Sequence, residues 1–388
     1  MISAAPGVPS YSLWQLVGYF LKLGTIGFGG PVALVEYMRR DLVERRGWIS
    51  EGDYMDGLAL SQLAPGPLAA QLAIYLGFVH YRITGATAAG IAFVLPSFLM
   101  VIGLGWAYLR YGGLSWVQAV FYAVGAAVIG IIAHSAYKLT RKSIGRAWLL
   151  WIIYAVAAAV TVITESEEVL LFLAAGVLVW LVKTPPSFRG LRGRLPAVLL
   201  APASLGVPGL AGVDWDLLGR ILAFFTYAGA FVFGSGLAIV PFLYGGVVKE
   251  HGWLTDQQFV DAVAVALITP GPVVITTGFI GFLVAGLAGA TVVAAATFLP
   301  AYLLTIIPAP YFKKYGKQPG VAAFVEGVTA AAIGAISGAV IVLGRRSIVD
   351  LPTALIAAVT IFMLWKVKVP EPLIILAAAV LGLLIYPA

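Results

Sequence analysis

One pattern occurs twice in this chain, as RRGWISEGDYMDGLALSQLAPGP at residues 45–67 and as EHGWLTDQQFVDAVAVALITPGP at residues 250–272. The two stretches align at an offset of 205, which pairs Asp56 with Asp261 and brings two Pro-Gly-Pro triplets into register. Proline lacks a backbone N–H and glycine lacks a side chain, so such a triplet interrupts a helix. Each stretch therefore predicts two short helices of about 14 residues with a break between them.

The repeat extends beyond these stretches. FLKLGTIGFGGP (20–31) aligns with FTYAGAFVFGSG (225–236) at the same offset, and FVLPSFLMV (93–101) aligns with TFLPAYLLT (297–305) at an offset of 204. Self-similarity at a fixed offset indicates one structural unit that is built twice. We therefore divide the chain into an N-terminal repeat over residues 1–184, a connector over 185–213 that we expect to be cytoplasmic and a C-terminal repeat over 214–388.

The composition is that of a membrane protein. Hydrophobic residues make up 61% of the 388 residues and charged residues only 11%, whereas about a quarter of a soluble domain is charged. Many apolar runs hold about 15–24 residues, which is enough to cross a bilayer with modest mismatch. The sequence therefore predicts an all-α polytopic membrane protein.

Several kinds of chemistry are excluded by the residue content. The chain has no cysteine, so it forms no disulfide and offers no thiolate to a metal or a substrate. Its three histidines, His80, His134 and His251, are too widely separated to predict a metal site. We expect no metal, no cofactor and no enzyme activity. The net charge of +7 comes largely from basic residues in short loops, so we expect no nucleic-acid partner.

Both units are predicted to contain the same series of segments. A first span, over 13–30 and over 217–236, ends in a glycine cluster, and the pair of short helices around Pro-Gly-Pro follows it. Four further apolar segments complete each unit, at 86–109, 114–137, 147–163 and 169–182 in the first and at 287–310, 321–344, 351–365 and 372–387 in the second.

The charges indicate whether the Pro-Gly-Pro segment crosses the membrane or turns back. Basic residues favour the cytoplasmic side of a membrane. If the segment turns back, most basic clusters fall on the side of Arg39 and Arg40, and only Arg345 and Arg346 conflict seriously with the rule. We therefore predict two inverted-topology repeats of about five spans each, each with a re-entrant broken-helix hairpin, and both termini outside. This architecture is typical of secondary transporters.

The two hairpin tips and the two glycine clusters are predicted to form one anion site near the midplane. The first N–H groups of a helix lack intrahelical partners and carry a partial positive charge. Glycine lets a ligand approach the backbone closely, and nearby hydroxyl and amide groups are donors for its oxygen atoms. The candidate binding residues are Lys22, Gly29, Gly30, Ser61, Gln62, Gly66, Pro67, Leu68, Gln71, Gly234, Ser235, Gly236, Thr269, Gly271, Pro272 and Thr276.

Structural alternatives remain open for these residues. Glycine also permits close packing of membrane helices, polar side chains also join helices, and Lys22 could snorkel to the outer interface. Asp56 and Asp261 are candidates for gating or for proton transfer, but solvated carboxylates at the hairpin mouths are the simpler interpretation. Arg39 and Arg40 are candidates for attracting an anion to the cytoplasmic mouth, although topology alone accounts for them.

Three stretches and a weaker second copy carry a family resemblance: FGGPVALVEYMRRDLVERRGW (28–48), GLALSQLAPGPLAAQLAIYLG (57–77), FVLPSF (93–98) and the Pro-Gly-Pro at 270–272. In these the chain resembles the chromate ion transporter family in its long, two-unit form. The resemblance implies a prokaryotic inner (plasma) membrane protein that exports chromate from the cytoplasm and confers chromate resistance. Sulfate has the same charge and tetrahedral shape, so it is the expected competitor.

The family motif falls on residues of the first unit, and the second unit departs from it. The motif positions are Gly29, Gly30, Pro31, Gln62, Pro65, Gly66 and Pro67. The second unit has Gly236 where the first has Pro31, and it lacks the dense arginine cluster, so equal roles for the two units are not expected.

The interpretation of transport has alternatives. Alternating access, in which one unit rocks against the other around a central oxyanion, fits inverted units with broken helices. A carrier or exchanger of sulfate or another oxyanion, or a channel-like anion pathway, would use the same backbone sites. The expected partners are the oxyanion and the lipid bilayer, and the sequence leaves open whether the protein forms a homodimer.

Overall fold

The computed structural model describes residues 11–28, 30–165, 169–184, 214–230, 239–315, 318–367 and 369–386. The predicted connector over 185–213 and four of the candidate binding residues, Gly29, Gly234, Ser235 and Gly236, lie outside the described residues.

Helices account for all the regular structure of the described ranges. The first unit contains α1 (Leu13–Ile26), α2 (Gly30–Met38) with a π-helical extension (Arg39–Arg45), α3 (Glu51–Leu63), α4 (Leu68–Tyr111), α5 (Ser115–Ser143), α6 (Trp148–Thr164) and α7 (Val169–Lys183). The second contains α8 (Trp215–Ala230), α9 (Ile239–Leu243) with a π-helical extension (Tyr244–Glu250), α10 (Asp256–Ile268), a 3₁₀ turn (Val273–Ile275), α11 (Thr276–Ile306), α12 (Ala309–Tyr315), α13 (Pro319–Ser347), α14 (Leu351–Phe362) with a π-helical extension (Met363–Val367) and α15 (Glu371–Ile385).

The protein is an all-helical polytopic membrane protein. Four stretches of the described chain are long and apolar enough to cross a bilayer: Leu68–Tyr111, Ser115–Ser143, Val273–Phe312 and Pro319–Ser347. Four shorter apolar helices accompany them: Trp148–Thr164, Leu170–Lys183, Leu351–Val367 and Glu371–Ile385.

Helices α4 and α11 each contain a sharp kink that separates a short arm from a long one. In α4 the kink is at Arg82, with φ 52° and ψ −138°, and in α11 it is at Gly286, with φ 59°. Around the first kink the two arms meet at Gly77 and Gly85, where a Cβ on either residue would lie 2.2 Å from the carbonyl oxygen of the other. The short arm of α4 therefore runs back alongside its long arm and pairs with α3 as a helical hairpin.

The predicted first span over 13–30 is corrected by the contacts of α1. The Tyr11 ring stacks on Trp48 with 4.8 Å between ring centroids, and the Tyr19 hydroxyl donates to the Tyr37 carbonyl at 3.3 Å. Helices α1 and α2 thus form a second helical hairpin whose two outer ends lie together. Because α1 has 14 residues, it is only about 21 Å long and falls short of the ~30 Å hydrocarbon core.

The equivalent span predicted over 217–236 needs the same correction. The Phe224 ring of α8 stacks on Phe242 at 5.3 Å and meets His251 edge-on at 5.6 Å. Helix α8 therefore also lies against the segment that follows it, up to the start of α10. High hydropathy does not distinguish a crossing helix from one that turns back.

The helix bundle has two ends, which we define by side-chain contacts. At the first end the Tyr11 hydroxyl contacts His80 at 2.8 Å and Lys183 pairs with Glu326 at 2.6 Å. At the second end the Tyr122 ring meets Tyr386 at 5.3 Å. Residues 11 and 386 therefore lie at opposite ends, which corrects the prediction that both termini are outside.

Equivalent helices of the two units exchange partners. Helix α4 packs on α1, α11 packs on α8, and α4 and α11 pack on each other; with α2, α3, α9, α10 and α12 we call this set the hairpin body. Helix α13 packs on α6 and α7 of the other unit, α5 packs on α14 and α15, and α5 packs on α13. We call these six helices the six-helix frame. Each part therefore contains helices of both units.

Close approach inside the hairpin body depends on two equivalent glycines. A Cβ on Gly24 of α1 would lie 2.3 Å from the Phe93 carbonyl oxygen, and one on Gly229 of α8 would lie 2.3 Å from the Thr297 carbonyl oxygen. Small residues allow membrane helices to pack with their backbones in contact.

The hairpin formed by α1 and α2 predicts the sidedness of three exposed positions. The chain has no cysteine, so single cysteines report access directly. We expect a membrane-impermeant maleimide to label Ser12→Cys and Arg45→Cys from the same side of the membrane. Leu351→Cys, which begins α14 at the second end, should be labelled from the opposite side. Labelling of Ser12→Cys and Arg45→Cys from opposite sides would show that α1 crosses.

Candidate functional site

The tip of the hairpin formed by α10 and the short arm of α11 lies against the break between α1 and α2. The Gly271 N–H donates to the Gly27 carbonyl oxygen at 3.0 Å, and the Gly27 N–H donates back into α1, to Leu23 O at 2.7 Å. Gly27 therefore lies at the tip of one hairpin, and its backbone carbonyl binds the hairpin tip of the other unit. A Cβ on Gly30 would meet no atom within 4 Å, so this tip has open space beside it.

Ser97 on the long arm of α4 fixes this contact. Its hydroxyl donates to the Pro270 carbonyl oxygen at 2.6 Å, and the Gly24 carbonyl oxygen lies 3.4 Å away. Gly271 has φ +97°, which L side chains rarely adopt, and a Cβ there would lie 2.1 Å from Ser97 Oγ. Only glycine fits between the tip and this serine.

We call the tip at Gly271 the second tip, and the tip of the hairpin formed by α3 and the short arm of α4 the first tip. The first tip is built in the same way around Gly66. This residue has φ +142°, and a Cβ on it would lie 2.6 Å from Gln71 Nε2 and 2.8 Å from the Ala301 Cβ. Ala301 is the repeat equivalent of Ser97 at the offset of 204. Each tip therefore packs against the same position of the other unit's long helix.

Gln71 is the polar side chain of the first tip. It is fully buried, and its Nε2 donates to the Pro65 carbonyl oxygen at 2.8 Å. Its Oε1 is buried and accepts no hydrogen bond from the described residues. Since a buried polar atom favours a partner, this amide is suited to a polar ligand at the tip.

The start of α4 leaves backbone donors at the same tip. Pro67 occupies the N-cap position and makes no side-chain capping bond, so Leu68 and the next residues present N–H groups without an intrahelical acceptor. At the second tip Pro272 occupies the equivalent cap of the 3₁₀ turn, also without a side-chain cap. There the Gly271 N–H is already bound to Gly27.

The predicted hydroxyl donors lie near the tips but bond to their own helices. Ser61 donates to Gly57 O at 2.8 Å. Thr269 donates to Val265 O at 2.6 Å, and Thr276 donates to Val273 O at 2.7 Å. Each of these hydroxyls would have to rotate before it could donate to a ligand. Gln62 is exposed and faces away from the packed interior.

Lys22 does not line the tips in this structure. It is exposed on α1, although the neighbouring Leu23 and Gly24 are buried. Its repeat equivalent, Tyr227, lines a cavity of ≈ 620 Å³ at the second end together with Arg220 and Lys249. Lys22 therefore lies on the outer face of its hairpin.

Arg39 and Arg40 lie at the first end and are paired with acidic side chains. Arg39 lies 3.2 Å from both Glu44 and Glu51, and Arg40 lies 3.2 Å from Asp41. The hydrogen bond to Glu51 raises the pKa of Arg39. These contacts reduce the positive charge that the pair presents to an incoming anion.

The two predicted carboxylates occupy different surroundings. Asp261 is only 3% exposed, and it accepts hydrogen bonds from Tyr108 at 2.7 Å and from Gln257 at 2.8 Å. Asp56 is half-buried in α3, toward the first end.

Sequence reasoning missed an ion cluster at the second end. Glu165 pairs with Lys249 at 2.5 Å and with Arg346 at 2.7 Å, and Arg346 also pairs with Asp256. The hydrogen bond from Lys249 lowers the pKa of Glu165. Arg346, which conflicted with the positive-inside rule, is thus neutralised by acidic partners. No local pattern indicated this pairing, because the two acidic partners of Arg346 come from two distant segments.

The comparisons with known proteins place this all-helical chain among membrane transport proteins and not among enzymes. The family model described as "Chromate transporter" matches residues 14–180 and 219–383. The chain belongs to the chromate transporter family, which confirms the resemblance seen in its sequence.

Named relatives agree with this assignment. A protein named "Chromate transport protein" from Cupriavidus metallidurans is 68% identical over 380 residues, covering 98% of this chain and 94% of the relative. The "Probable chromate transport protein" of Synechococcus elongatus is 64% identical over 380 residues, covering 97% of each chain. The "Chromate transport protein" of Pseudomonas aeruginosa is 30% identical over 394 residues, covering 98% and 94%. No solved structure matches the chain.

Because Ser97 bonds to Pro270 at the tip, we expect its removal to destabilise the protein more than removal of Ser61 does. Ser97→Ala leaves a buried carbonyl oxygen without its donor, which costs about 1–3 kcal/mol, so we expect a lower unfolding temperature in detergent. Ser61→Ala is the matched control: its hydroxyl is equally buried, but its acceptor lies within its own helix. Equal losses in the two variants would contradict a special role for Ser97 at the tip.

Proposed function

We propose that this protein exports chromate from the cytoplasm across the inner (plasma) membrane of a prokaryote and so confers chromate resistance. The observation that carries the proposal is the contact between the Gly271 tip and the Gly27 break, in a chain of the chromate transporter family. The names of the relatives support chromate as the substrate. Sulfate has the same charge and shape and is proposed as its competitor.

The chemistry of the tips supports an oxyanion ligand. A dianion in a membrane needs several donors or balancing charge. The N-terminus of α4, the amide of Gln71 and the open backbone at Gly30 offer such donors. At the second tip the ligand would replace the Gly27 carbonyl as acceptor of the Gly271 N–H. Recognition by backbone dipoles would suit any tetrahedral oxyanion of similar size.

The binding residues form part of the same proposal. We assign the first tip to Gly66, Pro67, Leu68 and Gln71 and the second tip to Gly271 and Pro272. Ser61, Thr269 and Thr276 would contribute after rotation of their hydroxyls. Lys22 and Gln62 are exposed, and we place them outside the direct contacts.

The inverted arrangement of the units is also proposed. The long arm of α4 runs from the first end to the second, whereas its equivalent in α11 runs from the second end to the first, as the positions of Tyr11, Asp261 and Phe312 require. We place the first end in the cytoplasm, since Arg39, Arg40 and their neighbours lie there. The units would extend over 1–184 and 214–388, and Thr184 and Asp214 lie at opposite ends.

The helix contacts favour a particular form of alternating access. The two units share both the hairpin body and the six-helix frame, so they are not free to rock as separate blocks. We propose instead that the hairpins of the hairpin body move against the frame and against one another and expose the tips to each side in turn. With the cytoplasm negative, outward movement of a dianion is favoured by about 4.6 kcal/mol per 100 mV.

Transport in proteoliposomes tests the proposal. Gly66→Ala and Gly271→Ala introduce strain and steric conflict of about 1–3 kcal/mol at the tips, and we expect chromate transport to fall about tenfold or more. Gly103→Ala in α4 is the control, because a Cβ there meets no atom within 4 Å. Size-exclusion profiles should show that all three variants remain folded. Full transport by both tip variants would contradict a backbone site.

The same proteoliposomes distinguish chromate transport from sulfate transport and from a channel-like pathway. Chromate transport that sulfate inhibits competitively supports the proposal. Transport of sulfate without transport of chromate would assign the protein to sulfate. A fast anion current without saturation would indicate a channel-like pathway in place of alternating access.

A further inference from the structure

Asp261 is a buried carboxyl group that the oxyanion site does not use. It lies on α10, nine residues before the first proline of the second tip, and is 3% exposed. Its partners are both neutral: the Tyr108 hydroxyl, which donates at 2.7 Å, and the Gln257 amide, which donates at 2.8 Å. No ion pair involves Asp261 among the described residues. A buried carboxylate without a cation is costly in its ionised form.

Tyr108 joins this carboxyl group to the other unit. Its ring lies edge-on between Phe121 of α5, at 5.4 Å, and Phe279 of α11, at 5.7 Å. The hydrogen bond to Asp261 therefore holds α10 against both the long arm of α4 and the six-helix frame. If α10 moves away from α4, the carboxyl group loses this donor.

A cavity of ≈ 400 Å³ connects Asp261 with the second end. Its lining includes the exposed Thr255 and Gln257 as well as Tyr122 and Tyr386. Water from the second end therefore has a route to the carboxyl group, whereas the tip packing lies between it and the first end.

The ionisable groups on the elements that pack on α10 have other partners, are neutral phenols or, like Arg110 of α4 and Glu371 of α15, do not line the cavity at Asp261. Tyr108 of α4 bonds to Asp261 itself, and Tyr122 of α5 bonds to Asp350. On α13, Arg346 pairs with Asp256 and Glu165. Tyr244 and Lys249, on the segment before α10, bond to Asp256 and to Glu165. Tyr386, at the end of α15, lines the cavity.

The other unit lacks this arrangement. Phe312 occupies the repeat position of Tyr108 at the offset of 204 and packs in the cluster that contains Tyr54 of α3. A phenylalanine offers no hydroxyl to Asp56, which is half-buried. The combination of a buried carboxyl group with this tyrosine is therefore found at Asp261 and not at its repeat equivalent.

We propose that Asp261 is a proton-binding site whose protonation allows α10 to close against Tyr108 at the second end. The neutral acid is accommodated in the closed packing. When α10 parts from α4, the proton passes to water in the cavity and leaves a hydrated carboxylate, which must take up a proton again before closure. Turnover then depends on the pH of the second-end side and not on that of the first-end side, and no net proton crosses the membrane.

Side-specific pH changes at clamped voltage test this inference, which rests on the proposed transport of chromate. Above the pH at which half of the Asp261 carboxyl groups are protonated, each further pH unit lowers the protonated fraction about tenfold. Wild-type transport should therefore fall as the second-end side becomes alkaline and stay constant when the first-end side does. Asp261→Asn, which stays neutral, should lose this dependence. Asp216→Asn, which changes an exposed carboxylate on α8, should retain it.

Two further measurements keep the inference testable if Asp261→Asn transports nothing. Tyr108→Phe removes a donor that favours the ionised form, so its pH profile should shift to more alkaline values. Infrared spectroscopy without chromate should show a protonated carboxyl band in the wild type that is absent from Asp261→Asn. Three results would overturn the assignment: transport that depends equally on the pH of both sides, an unchanged pH profile of transport in Tyr108→Phe, or an infrared carboxyl band that is unchanged in Asp261→Asn. Only the infrared result is independent of the proposed function.

Discussion

The hydrogen bond from the Gly271 N–H to the Gly27 carbonyl oxygen is the constraint on which the rest of the hairpin body depends. Both groups belong to buried breaks between helices, where a backbone group that loses its partner is left unsatisfied. A break there is tolerated only if protein groups satisfy it, and here each unit's break is satisfied by the other unit. Ser97 adds the second bond to the same tip, and Gly24 lets the backbone of α1 pack closely against Phe93 of α4.

Much of this architecture could be predicted from the sequence. The bounds of α5, α6 and α7 fall close to the predicted apolar segments, and the Pro-Gly-Pro triplets do end one helix and precede the next. These features depend on local chemistry: long apolar runs form helices in a membrane, and proline and glycine interrupt them. The resemblance to the family depended on the same motifs.

The path of α1 could not be predicted from hydropathy. Hydropathy indicates whether a residue favours an apolar environment, but not whether the chain crosses the membrane or turns back. The fourteen residues of α1 are largely apolar, and the contacts of Tyr11 with Trp48 and of Tyr19 with Tyr37 show that the chain returns. Ser97 was visible within a repeated motif, but nothing local indicated that it would bind the other unit. The same holds for Arg346, whose acidic partners lie 90 and 181 residues away.

The exchange of helices between the two units has a consequence for how the protein is made and how it evolves. When the ribosome has completed the first unit, α6 and α7 still lack α13, the helix they pack on, and α5 lacks α14 and α15. The first unit must wait in the bilayer with apolar surfaces that only the second unit can cover. The two copies are therefore not independent domains. A substitution in one copy must remain compatible with the helices of the other, so the two copies diverge together.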